Sequence, residues 1–164
     1  MTTKSVARCG LLTALAMIFG YVEALIPFYF GIPGVKLGLP NIITVFALYT
    51  LPVYQVFAIQ VMRIVLVSFL FGNLSMMLYS LAGGLLSLVV MVLLKKKKWL
   101  SIAGVSLAGG VSHNIGQLAV AVLVVQNLKI AFYLPALLAS GLVTGGLIGM
   151  LVHKVKPLLD RSKF

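Results

Sequence analysis

Residues 99–125 read WLSIAGVSLAGGVSHNIGQLAVAVLVV. The stretch is long enough and apolar enough to cross a bilayer, whose core of about 30 Å takes roughly 20 residues of helix. Its exceptions are Ser112, His113, Asn114 and Gln117. On a helix His113 and Gln117 lie four residues apart and Asn114 and Gln117 three apart, so the three crowd toward one side. Gly110 and Ser106 continue that stripe backward. Lipid would leave the donors on this face unsatisfied, so it points at protein, water or a ligand. The rest of the chain is expected to supply the other walls.

Composition supports a membrane solvent. The chain is 62% hydrophobic and only 9% charged, with mean hydropathy +1.16, whereas soluble domains carry about 25% charged residues. Crossing-length stretches recur along all 164 residues and leave no segment for a separate soluble domain. The expectation is an all-α integral membrane protein of the cell membrane, with a single transmembrane domain over 1–164.

The net charge of +11 gathers at Lys4 and Arg8, at Lys95, Lys96, Lys97 and Lys98, and at Lys154, Lys156, Arg161 and Lys163. Basic residues at alternate helix ends are the pattern that keeps those ends cytoplasmic, which explains the charge without nucleic acid. Anionic headgroup contact is expected there, without specificity. Cys9 is the one cysteine, so no intramolecular disulfide forms, and one cysteine with two distant histidines makes a poor metal site. No metal and no cofactor are expected.

Six helices are read along the chain, at about residues 9–30, 41–51, 54–71, 74–94, 99–125 and 130–152. The first carries two small-residue stripes, one through Ala7, Gly10 and Ala14 and the other through Ala16, Gly20 and Glu23, so close neighbours are expected on both sides. Intramolecular packing accounts for one, and a partner membrane protein would account for the other. Residues 31–41, GIPGVKLGLPN, are too rich in glycine and proline for a regular helix and read as an outer lid or re-entrant loop. The second helix is short for a crossing unless it continues beyond Leu51 and Pro52. The sixth carries Gly141, Gly145 and Gly149, read as a packing seam. Six crossings with both termini inside put every basic cluster on the cytoplasmic side.

Depth follows from the helical rise. Glu23 and His113 each fall about 21 Å from the inner ends of their helices and Arg63 about 13–14 Å. A charge near the bilayer centre costs about 2.5–3.5 kcal/mol, so Arg63 and Glu23 must each face a partner or a wet cavity. Two compatible readings follow. In one Glu23 and Arg63 form an ion pair, and in the other Arg63, with Lys36 from the lid, receives an anionic group. Tyr79 is an interface anchor or a wall around an apolar ligand. The candidate substrate set is Glu23, Lys36, Asn41, Arg63, Tyr79, His113, Asn114 and Gln117.

Catalysis is hard to build, because Glu23 and Asp160 are the only carboxylates. Prenyl transfer uses clustered aspartates to hold magnesium and diphosphate. The phosphate-cradling GxxxxGK[ST] loop is also absent from the sequence, so energised transport needs a partner.

Together GVKLGLPN (34–41), Arg63, YSLAGGLLS (79–87) and SHNIGQ (112–117) resemble the Gx transporter family, also called heptaprenyl diphosphate synthase component I. The resemblance spans nearly the whole chain, in order. It implies an architecture similar to the substrate-binding S components of energy-coupling factor (ECF) transporters, with six helices and an outward pocket. It further implies partners: a transmembrane T component, docked through small residues of the first helix, and two ATPase subunits. Gly10 and Ala14 fit that docking role best, although Ala14 is followed four residues later by Ile18 rather than alanine. The family name implies an isoprenoid- or quinone-related substrate, and also an alternative role as a non-catalytic membrane subunit beside a soluble prenyl synthase.

Overall fold

The computed structural model describes residues 2–25 and 38–161. These residues form six α-helices, one 3-10 helix and no β-strand. The helices are α1 (Thr3–Leu25), α2 (Leu39–Thr50), α3 (Val53–Phe71), α4 (Leu74–Lys97), α5 (Ile102–Val125) and α6 (Leu134–Arg161), with the 3-10 helix at Leu128–Tyr133. Five of the six are long and apolar enough to cross a membrane. The exception is α2, whose 12 residues reach only about 18 Å. Large apolar side chains face outward, including Phe69 at 85% exposure and Leu123 at 72%. Such a surface suits lipid and would be a liability in water. The chain is a multi-pass helical membrane protein.

Helix ends follow local chemistry. Gly38 takes the left-handed conformation (φ 73°, ψ 28°) just before α2, a turn only glycine makes without strain. Pro40 then sits in the first turn, where a missing N–H costs nothing. Leu51 is extended, as the residue before a proline should be. The carbonyl of Pro52 opens α3 by accepting from Gln55 and Val56 at 3.0 and 3.2 Å. So α2 does not run on through Pro52. Ser101 caps α5, its Oγ accepting from the Gly104 N–H at 3.3 Å. Asn127 caps the 3-10 helix through Lys129 N–H at 3.0 Å. The last helix runs past Val152 to Arg161 with Pro157 inside it, longer than its apolar stretch.

The chain divides into two compact units, Met1–Leu81 and Ala82–Phe164. In the first, α1, α2 and α3 bury Ala16, Val45, Ala47, Leu48, Val56 and Ile59. Gly20 permits the approach, because a Cβ there would stand 3.3 Å from Val67 of α3 and 3.5 Å from Pro40 of α2. Tyr21 and Phe71 add a tilted ring contact at 4.8 Å. The two stripes of α1 have different fates. The Ala16–Gly20 face is closed by α2 and α3, whereas Ala7, Gly10 and Ala14 are exposed, and a Cβ on Gly10 would meet nothing within 4 Å.

In the second unit α5 and α6 pack backbone to backbone. Gly110 abuts the Gly141 carbonyl, Gly145 lies against Ser106 and Leu107, and Gly149 lies against Ala103. The glycine stripe of the last helix is the packing seam that its spacing predicts. Val105, Leu118, Leu137, Ile148 and Val152 are buried apolar side chains of these two helices.

Candidate functional site

In the first unit the polar residues converge on Arg63. This side chain projects from the middle of α3 and is 8% exposed. Its Nε donates to Gln60 Oε1 at 3.0 Å, one turn earlier on the same helix. Its Nη2 donates to Asn41 Oδ1 at 2.8 Å, in the first turn of α2. Thr44, one turn further along α2, donates its hydroxyl to the same Gln60 Oε1 at 2.7 Å. The guanidinium can only donate, so it fixes the amide with its oxygen toward Arg63, and the Thr44 hydroxyl then donates to that same atom.

Glu23 enters differently. Its Oε1 accepts from the backbone N–H of Gly38 at the mouth of α2. The carboxylate thus anchors the end of the Gly/Pro-rich stretch to α1 while lying within electrostatic reach of Arg63. Among the described residues, both acceptors that touch the guanidinium directly are neutral amides. A neutral acceptor satisfies an N–H but leaves the positive charge in place, and a guanidinium carries five N–H donors. Of the remaining candidates, Tyr79 is half-buried on α4 in this unit, and Lys36 lies outside the described residues.

A second polar node joins α1 and α3 near the start of each. Gln55, 5% exposed, donates through Nε2 to Ser5 Oγ at 2.7 Å and Tyr54 Oη at 3.0 Å. Its Oε1 accepts from Cys9 Sγ at 3.7 Å, so the lone thiol is a half-buried packing group with a weak hydrogen bond.

In the second unit the polar side chains of α5 are divided between two neighbours. Gly83 of α4 and Gly116 of α5 bring these helices together. A Cβ on Gly116 would stand 2.8 Å from the Ala82 carbonyl oxygen, and one on Gly83 would stand 2.7 Å from Gln117 Cγ and 3.3 Å from the His113 ring. His113 and Gln117 therefore face α4. Asn114 turns instead to α6, where its Nδ2 donates to the Leu137 carbonyl at 2.6 Å. Ser112 is spent locally on the carbonyls of Ala108 and Gly109 at 2.7 and 3.2 Å. The common face expected for His113, Asn114 and Gln117 thus resolves into a pair on one side and an interhelical bond on the other.

Thr44, Gln55 and Gln60 are not among the candidates drawn from the sequence. An amide in an apolar helix is a usable signal, since it must find partners. Threonine gives none, because it can satisfy itself on its own helix.

No curated protein and no solved structure matches the chain. The family model described as heptaprenyl diphosphate synthase component I matches residues 12–155, and the chain belongs to that family.

Proposed function

We propose that the protein is the membrane-embedded substrate-binding component of an energy-coupling factor type transporter in the cell membrane. The observation that carries this reading is the neutral collar around Arg63. A cation buried in an apolar helix layer is costly, and holding it with Asn41 and Gln60 rather than a bonded carboxylate leaves it able to receive an anionic group. In the second unit the candidates His113 and Gln117 face α4. The substrate class we favour is a small anionic molecule, isoprenoid- or quinone-related by analogy with the family description.

The protein itself performs no catalysis in this reading. ATP hydrolysis belongs to two partner subunits, coupled through a transmembrane T component. The open face of Ala7, Gly10 and Ala14 supports such docking, because small residues let a partner helix approach closely. One observation favours a second reading. The family description names a synthase component, so the chain would serve as a non-catalytic membrane subunit beside a soluble prenyl synthase.

Mass spectrometry of the purified protein should identify the molecule it carries, and titration of that molecule should show weakened binding for Arg63→Ala and His113→Ala. Unchanged affinity in both variants would sink the site assignment. Copurification separates the roles: an ATPase-bearing complex supports transport, and a soluble prenyl synthase whose activity falls on removing this chain supports the subunit role.

A further inference from the structure

The second unit ends in a basic surface that the proposed substrate site does not use. The last turn of α4 carries Lys95, Lys96 and Lys97, and Lys98 follows in the left-handed conformation at φ 54°. Glycine or asparagine is the usual residue at that position, because a Cβ there crowds the backbone. A lysine bears this steric cost where glycine would avoid it. Next comes Trp99, 74% exposed, with the Lys97 ammonium 4.6 Å from its ring centroid. From α6, Lys156 lies within electrostatic range of Lys95. Asp160 is the one carboxylate anywhere in residues 82–164.

Charges that serve only to set topology need number and side. They need neither a strained backbone nor an exposed indole held beneath an ammonium. We infer that the turn from Lys97 to Trp99 is a docking site for the headgroup of an anionic phospholipid. The phosphate meets the ammonium groups, and the indole sits at headgroup depth with its apolar body toward the acyl chains. The cation–π contact holds Lys97 at that depth.

Trp99 is the only tryptophan, so its fluorescence reports this place alone. The protein should be reconstituted in phosphatidylcholine vesicles containing brominated phosphatidylglycerol or, in parallel, brominated phosphatidylcholine at the same mole fraction. The brominated anionic lipid is expected to quench Trp99 with about threefold to tenfold higher apparent affinity. Lys98→Gly should lower that preference while leaving the thermal midpoint unchanged or higher, since glycine relieves the turn. Lys97→Gln/Lys98→Gln should bring it close to one. A double variant with the same charge loss elsewhere, Lys4→Gln/Arg8→Gln, should leave it intact. Equal quenching by the two lipids in the unaltered protein overturns the inference. So does an equal fall in the Lys4/Arg8 variant, which would make the preference a field of the whole molecule.

Discussion

Replacing Gln60 by leucine isolates what the collar contributes. The side chain is 1% exposed, and leucine nearly matches its volume, so packing changes little. Two hydrogen bonds are lost at one atom, from Arg63 Nε at 3.0 Å and from Thr44 Oγ1 at 2.7 Å. The Arg63 donor is charged, and a hydrogen bond with a charged partner is worth about 1.5 kcal/mol. Stranding the Thr44 hydroxyl adds about 1 kcal/mol. The expected loss is therefore about 2.5 kcal/mol, roughly a 60-fold change in the folding equilibrium. Thr44→Val should cost about 1 kcal/mol. The double variant should cost about 1 kcal/mol less than the sum, because a valine leaves no hydroxyl to strand. Reversible unfolding in mixed detergent micelles, extrapolated to zero denaturant, measures all three. A Gln60→Leu loss below about 0.5 kcal/mol, or additivity within that margin, would refute the shared-acceptor geometry.

Other substitutions test the remaining contacts. Gly116→Val places atoms against the Ala82 carbonyl and should destabilise by about 3 kcal/mol or prevent folding, read by the same unfolding assay. Gly10→Ala meets no atom within 4 Å and should leave stability unchanged or raise it by up to about 1 kcal/mol, whereas Gly10→Leu should keep the fold yet weaken copurification of a membrane partner. Asn114→Leu removes the bond to the Leu137 carbonyl and should cost about 1 kcal/mol, without the loss of substrate affinity expected for His113→Ala in a binding titration.

Several features were legible because hydropathy and steric rules fix them locally. The apolar stretches yielded the helices, and Gly38 with Pro40 marked the start of α2, while residues 31–37 of the expected lid lie outside the described residues. Arg63 stood out as a charge that must be answered. Boundaries shifted where apolarity and helicity part company. The final helix runs to Arg161 because its basic tail residues form helix readily although they are not apolar. The division of α5 was hidden for another reason: His113 and Asn114 sit about 100° apart on the helix, and periodicity does not say which neighbour lies beyond each. Thr44 illustrates the deepest gap. Thr13, Thr50 and Thr144 bond to the carbonyl four residues back on their own helices at 2.8, 2.9 and 2.9 Å. Only packing of α2 on α3 reveals that Thr44 reaches across to Gln60 instead.

The length of α2 also bears on how the protein is made. A segment of 12 residues cannot span the hydrocarbon core alone, so membrane insertion machinery sampling it in isolation would find no stable transmembrane state. With α3 it becomes a helical hairpin joined at Leu51 and Pro52, and the polar groups of Asn41, Thr44, Gln60 and Arg63 answer one another inside it. Insertion of the two helices as a pair would let the arginine enter with two of its N–H donors already satisfied.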